Sequence, residues 1–300
     1  LLFIKKFPTV KKLATTKEEE VFKLWEGLGY YSRCRNLLAS ARFIYNELKG
    51  KFPATYDDII QLKGVGPYTA AAIASFAFNL PFAVVDGNVN RVLARYFGIN
   101  TAIDSNAGKK IFSALAQELL SPKEPGLYNQ AIMDFGATVC KPQLPLCLEC
   151  PLSSNCSAYH TGKVGLLPLK EKKLKKKNRW FYYIVLEKND RYYIRTRQTK
   201  DIWQNLNEFV LAEWPEKIGV EELMDTKEFK RMLPATIQWL QNSVEYKQQL
   251  THQLVHAVFI EGRLLSGPAP DGYELVERKN IKRRAFPVLL NRCLADKGWK

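Results

Sequence analysis

The sequence predicts two unlike domains, an all-α one followed by one of α+β type, and three observations carry that expectation. Between residues 17 and 139 the apolar residues recur at helical spacing, in segments broken by Gly and Pro. Four cysteines, Cys140, Cys147, Cys150 and Cys156, then stand close together in the pattern C-x6-C-x2-C-x5-C. Beyond a strongly basic run the texture changes to short stretches rich in β-branched and aromatic residues, mixed with helical pieces. Three hundred residues suit two domains of ordinary size, and 46% hydrophobic residues with 12% aromatics are ample for two cores.

The helical segments fall at 18–25, 34–48, 56–61, 68–78, 88–96, 107–120 and 127–139. The basic run lies within 166–179, where Lys170, Lys172, Lys173, Lys175, Lys176, Lys177 and Arg179 face one acid, Glu171. Such a stretch cannot pack a core, so it reads both as a solvated linker and as a strap that tracks phosphates. The β-rich stretches are 180–186, 192–196 and 254–260, with helical pieces at 220–224 and 286–293. These changes set the expected boundaries: a helical domain over 1–162 with its cysteine loop at 140–156, a basic linker at 163–179, and a second domain over 180–300.

A formal charge of +15 is what a densely anionic partner would select, and nucleic acid is the first candidate. Ribosomal and membrane-surface proteins share such a charge, so the motifs must decide. The longest apolar stretches are too short to span a bilayer, and residues 1–7 lack the central run and cleavage site of a signal peptide. A reducing, intracellular setting fits. The chain opens on Leu1 inside a helix-like pattern, so native sequence is expected to precede it.

Four soft thiolates this close in sequence can wrap one inorganic centre, and the uneven spacings suit a cubane iron–sulfur cluster better than a regular zinc ribbon. A zinc knuckle, two disulfides or four unrelated buried thiols are the alternatives, and the intracellular character speaks against disulfides. Cys34 and Cys293, lone thiols in helical patterns, read as core or surface residues.

Gly64-Val65-Gly66 joins two helical segments and leads into Pro67-Tyr68-Thr69-Ala70. Glycines let the backbone bend tightly and approach a ligand, and the amides opening the next helix point at whatever anion sits there, a phosphodiester being the natural guest. A plain helix–helix connection explains the same turn. Farther along, Asp86 ends an apolar segment and opens a helix through Gly87, Asn88, Val89, Asn90 and Arg91. It can cap that helix, worth about 1 kcal/mol. A carboxylate at a helix N-terminus is also favoured by the dipole, which suits it to stabilise a cationic sugar rather than to donate a proton.

Helix-hairpin-helix, Gly/Pro-rich loop, Asp and four-cysteine cluster together resemble the endonuclease III superfamily of DNA glycosylases. Within it, 25–33 (WEGLGYYSR), 7–10 (FPTV) and Asp86-Gly87-Asn88-Val89 resemble the adenine glycosylase, or MutY, branch across nearly the whole chain. Endonuclease III proper carries a lysine where this chain has Tyr68, and a phenol cannot form a Schiff base, so a monofunctional glycosylase is expected. The resemblance implies hydrolytic removal of adenine opposite 8-oxoguanine or guanine, with the adenine extruded into a pocket. It assigns catalysis to Asp86, Tyr68 and Asn88, a 4Fe-4S cluster to the four cysteines, and DNA contacts to Leu28, Tyr30, Gly64, Val65, Gly66, Arg91 and Lys141. The family's protonating Glu sits before the segment matching Leu1, and Glu18, Glu19, Glu20 and Glu26 lie in no matching context. The chain as given is therefore expected to bind DNA weakly and to excise adenine very slowly or not at all. A catalytically impaired DNA-binding fragment is the alternative reading.

Residues 202–209 (IWQNLNEF) and 252–256 (HQLVH) resemble the family's C-terminal Nudix-like domain, without the acidic helix of a true Nudix hydrolase. The family's H-x-F-S-H loop contacts the oxidised base through its Ser, where this chain has Val255. Discrimination is expected to weaken or to shift to neighbours such as Thr251, His252 or His256. The expected whole is a multidomain protein: an all-α helix-hairpin-helix glycosylase domain with an iron–sulfur loop, then an α+β Nudix-like domain. It is expected to act as a cytoplasmic, bacterial, nucleoid-associated monomer on double-stranded DNA carrying an adenine mispair, with no membrane partner.

Overall fold

The computed structural model describes residues 1–171 and 176–299; Lys172, Lys173 and Lys175 of the basic run lie outside them. The chain divides into two compact units, one formed by Leu1–Arg42 with Leu174–Lys300, the other by Phe43–Lys173. Among the described residues no helix is long and apolar enough to cross a membrane.

The first unit begins with α1 (Leu2–Lys6), α2 (Val10–Ala14), α3 (Glu18–Trp25) and the start of α4 (Tyr31–Asn46). Thr9 caps α2 by accepting from the Lys12 amide. The second unit is helical: α5 (Tyr56–Ile59), α6 (Pro67–Phe78), α7 (Gly87–Phe97), α8 (Asn106–Leu119), α9 (Pro125–Thr138) and α10 (Ser157–His160). Its core joins Val89, Leu93, Ala94, Phe112, Ala116, Ala158 and Leu167. A second cluster, Ile59, Ala70 and Ala74, seats α5 against α6, with Tyr56 stacked on Phe82 at 4.3 Å. The α7–α9 crossing is close because residue 136 is glycine: a Cβ there would lie 2.7 Å from the Asn88 Cβ.

After the basic run the first unit resumes with β1 (Lys177–Lys188), β2 (Arg191–Thr196), β3 (Asn207–Trp214), α11 (Val220–Asp225), α12 (Lys227–Met232), β4 (Thr236–Gln249), β5 (Gln253–Ser266), β6 (Glu274–Glu277), α13 (Arg278–Ile281) and α14 (Val288–Asp296). The strands form one mixed sheet in the order β4-β5-β1-β3-β2-β6, with β1 and β5 parallel. Six consecutive residues of β1, 181–186, are buried, as a central strand covered on both faces requires. Tyr182, Ile184 and Leu186 pack with Leu223 of α11 and Phe229 of α12. Aromatic pairs Phe181–Tyr183 and Tyr183–Phe259 line the other parity of β1.

Neither β3 nor β4 is among the strands expected from sequence. In β4 the alternation is interrupted by register shifts at Thr236/Ile237 and Trp239/Ser243, so its apolar residues lose the period of two that marks a strand. The amino-terminal helices are stitched to this unit by polar contacts. Lys23 Nζ donates to the Arg284 carbonyl (2.9 Å), the Phe286 amide donates to Glu26 Oε1 (2.8 Å), and Arg35 donates to the Gln204 carbonyl (3.1 Å).

Candidate active site

The turn that opens α6 is built as the two glycines suggest. The Val65 amide donates to the Leu62 carbonyl at 3.0 Å, Gly64 sits at φ +76°, and extended Gly66 leads into Pro67 at the first helical position. Tyr68 follows in the first turn of α6 with half its surface exposed.

From the end of α6, where Asn79 takes the left-handed conformation, an extended segment carries the chain to Asp86. Asn129 of α9, 1% exposed, holds that segment: its Oδ1 accepts from the Val84 amide (3.0 Å), and its Nδ2 donates to the Phe82 carbonyl (2.9 Å) and Ser75 Oγ (3.0 Å). Asp86 caps α7, its Oδ1 accepting from the amides of Asn88 (2.7 Å) and Val89 (2.8 Å). The Asn88 side chain donates to Asp86 Oδ2 at 3.0 Å. Both carboxylate oxygens are thereby oriented by donors.

Behind the carboxylate the network continues. Arg91 donates to Asn88 Oδ1 (2.8 Å), the Gly136 carbonyl (2.6 Å), the Gly87 carbonyl (3.4 Å) and the Cys140 carbonyl (2.7 Å). Asp86, Asn88, Arg91 and the first cysteine thus form one hydrogen-bonded series. Arg91 is only 8% exposed, so its guanidinium is spent inside the protein rather than offered at the surface. Burial lowers its pKa from the ordinary value, with Cys140 pulling the other way.

One turn on, Arg95 donates to the carbonyls of Leu167 (3.1 Å), Lys141 (2.8 Å) and Pro142 (3.4 Å), and to Cys140 Sγ at 3.4 Å. Sequence reasoning passed over Arg95, as it did Asn129. The four-residue spacing from Arg91, which puts both side chains on one face of α7, was the signal for Arg95. Cys140, Cys147, Cys150 and Cys156 are free thiols lining a single cavity with Arg95, Val139, Leu146, Tyr159 and Val164. Burial, reinforced by the neighbouring thiols, raises the Cys147 pKa while Arg95 lowers it. Among the described residues no group of His, Cys, Asp or Glu side chains meets the geometry of a site for one metal ion.

The remaining sequence-predicted residues fall in the first unit, apart from Lys141, whose carbonyl is held by Arg95. Leu28 and Tyr30 protrude, 65% and 66% exposed, from a loop in which Gly27, Gly29 and Tyr30 all have positive φ. The loop is pinned by the bond from Trp25 Nε1 to the Gly29 carbonyl (2.9 Å), and Arg33 lies over the Tyr30 ring. Thr251 and His252 are exposed where β4 turns into β5. Val255 is fully buried, and His256, 7% exposed, stacks on Trp180 at 3.8 Å and hydrogen-bonds Asn178. Of Thr251, His252, Val255 and His256, only Thr251 and His252 present side chains to solvent.

Residues 2–122 match the family described as the HhH-GPD superfamily base excision DNA repair protein. The chain is 35% identical over 258 residues to the adenine DNA glycosylase of Buchnera aphidicola from Acyrthosiphon pisum, covering 85% of this chain and 70% of that protein. It is 50% identical over 157 residues to the human adenine DNA glycosylase, covering 52% of this chain and 29% of the human protein. It thus spans less than a third of the human relative's length. Among solved structures, a thermostable thymine-DNA glycosylase superposes with a TM-score of 0.50 at 33% identity, over 53% of this chain and 74% of that one. With its capped aspartate, glycine-rich hairpin and extended match to the Buchnera protein, the chain belongs to the adenine DNA glycosylase family of base-excision repair proteins.

Proposed function

We propose that the protein removes adenine from double-stranded DNA, opposite 8-oxoguanine or guanine, by hydrolysing the N-glycosidic bond and leaving the abasic strand uncut. The observation that carries this reading is Asp86, whose two oxygens are oriented by the Asn88 and Val89 amides and the Asn88 side chain. As the base departs, the sugar becomes an oxocarbenium-like cation, and a fixed carboxylate lowers the energy of that charge. Asn88 holds the carboxylate, and Tyr68, half-exposed at the opening of α6, lines the site without an amine to form a Schiff base. Glu18 and Glu26 are committed to partners in their own unit, Asn205 and Arg42 for the first, Lys23 and the Phe286 amide for the second. Neither is assigned as the acid that protonates the adenine.

The hairpin of Gly64, Val65 and Gly66 supplies backbone amides to a phosphate, and Leu28 and Tyr30 are the exposed apolar side chains that would enter the duplex. The four cysteines fit a 4Fe-4S cluster: all line one cavity, none is in a disulfide, and a guanidinium N–H already points at Cys140 Sγ. When bound, such a cluster supplies a rigid cross-link across 140–156. Arg95 balances its thiolates and holds the Lys141 and Pro142 carbonyls. Base excision is assigned to 1–162, of which residues 1–42 belong to the compact unit of the sheet, a linker role to 163–179, and mismatch recognition to the Nudix-like 180–300, whose exposed Thr251 and His252 meet the opposite base.

Single-turnover excision from an adenine:8-oxoguanine duplex tests the reading. Asp86→Asn preserves a capping side chain and so the fold, yet is expected to slow excision by about a thousandfold. Excision by the variant at the parent rate would overturn the assignment.

A further inference from the structure

The edge of the mixed sheet farthest from the β4–β5 turn carries a concentration of positive charge that the proposed reaction does not use. Immediately after β6, five of seven residues are basic: Arg278, Lys279, Lys282, Arg283 and Arg284. Buried Ile281, Ala285 and Phe286 anchor this segment, so its basic side chains are presented from a fixed backbone rather than a loose tail. Arg191, at the start of β2 and in register with Glu277, joins Arg283 and Arg284 in lining one open cleft with Glu274, Glu277 and Asn280.

The carboxylates in the cleft do not cancel this charge. Glu274 is paired with Arg284 (3.0 Å) and Glu277 with Lys279 (2.9 Å). Arg278 lies over the Trp299 ring. Arg191, Lys282 and Arg283, all exposed, form no ion pair among the described residues. Exposed cations held close together repel one another, and that cost is recovered when a polyanion bridges them.

We propose that Arg191, Lys282 and Arg283 form a phosphate-backbone contact for duplex DNA, separate from the Thr251–His252 turn that meets the opposite base. The inference rests on the DNA-repair reading above. In the sheet order, β5 and β6 are four strands apart, which at about 4.8 Å per strand is roughly 20 Å. That spacing corresponds to about six base pairs of duplex. The patch therefore grips flanking DNA, in a sequence-independent and salt-sensitive way, and guanidinium forks suit phosphate oxygens.

The test uses a long undamaged duplex, so it requires no adenine removal. Its affinity is measured by fluorescence anisotropy across a salt series for the full chain, for Lys282→Glu/Arg283→Glu, and for Lys227→Glu/Lys230→Glu, which changes net charge equally on α12. The patch variant is expected to bind at least about tenfold more weakly, with a salt slope shallower by about two, while the α12 variant stays within about threefold of the parent. Equal losses in both variants would mean only net charge matters, and an unchanged patch variant would mean the edge is idle; either overturns the proposal alone. A parent chain that binds no undamaged duplex would overturn the proposal and the DNA-repair reading together.

Discussion

Both compact units bury arginines, and they satisfy them in opposite ways. In the helical unit, Arg91 and Arg95 donate almost wholly to carbonyls, those of Gly87, Gly136, Cys140, Lys141, Pro142 and Leu167, with Asn88 Oδ1 and Cys140 Sγ as the exceptions. In the sheet unit, Arg197, 4% exposed, is paired with Glu208 and Asp201 at 2.9 and 3.1 Å, and Arg195 shares Glu208. Carbonyls satisfy hydrogen bonds without cancelling charge. The helical unit thus keeps two desolvated cations on α7, Arg95 beside the four thiols and Arg91 bonded to the Asn88 side chain that holds Asp86, whereas the sheet unit neutralises its own. The directions of the pKa shifts agree: burial lowers Arg91, while in Arg197 the same penalty is outweighed by Glu208 and the value rises. One arrangement leaves its charge standing and the other is a rivet.

The sharpest way to break this comparison is Arg91→Met. It orphans acceptors on Asn88, Gly136 and Cys140 together and is expected to cost about 3 kcal/mol or more in urea denaturation. It also slows excision, because Asn88 loses the partner that turns its NH2 toward Asp86. A variant that kept both stability and rate would show the series to be incidental.

A smaller effect separates the rivet from the site. Glu208→Gln leaves the Arg197 charge poorly matched and is expected to cost about 3 kcal/mol, while Arg197→Met/Glu208→Leu returns stability to within about 1 kcal/mol of the parent. If the double variant unfolds as readily as the single one, the pair does more than neutralise itself.

The smallest effect is in acid. Burial alone would raise the Asp201 carboxyl, but bonds from Arg179, the Ile202 amide and Arg197 outweigh it and hold the pKa at about 2, below the ordinary 3.8. The folded state favours the carboxylate, so this contribution is complete above about pH 4 and is lost as pH falls toward 2. Asp201→Asn is expected to remove about 2 kcal/mol of pH dependence from that interval, read from stability curves at successive pH values. An unchanged acid profile would mean the three partners rearrange freely.

Residue by residue, the sequence was legible where a role depends on local geometry. Asp86 reads as a cap because an acid before a helix meets that helix's own amides, and the glycine hairpin reads as a tight turn because φ at Gly64 is positive. Arg91 was legible only as a basic residue on a helix. Whether its guanidinium points to solvent or into Gly136 and Cys140 depends on α9 crossing α7 closely, a contact between segments 45 residues apart. Strand β4 escaped notice because its bulge exists only against its partner β5. Val255 was read by position in a short loop pattern, yet its side chain lies on the buried face of β5.

By itself, then, the sequence determined the two textures, the capped Asp86, the phenol at Tyr68 and the four-thiol spacing, since each follows from residue type and neighbours along the chain. Only the tertiary structure decided that Asn129 fixes the approach to Asp86, that Arg95 braces the cysteine loop, and that Arg191 shares a cleft with Arg283. The reason is physical: a buried donor takes whichever acceptor the packed fold brings within 3 Å or so. That choice is made by segments distant in sequence, after the core has set their positions.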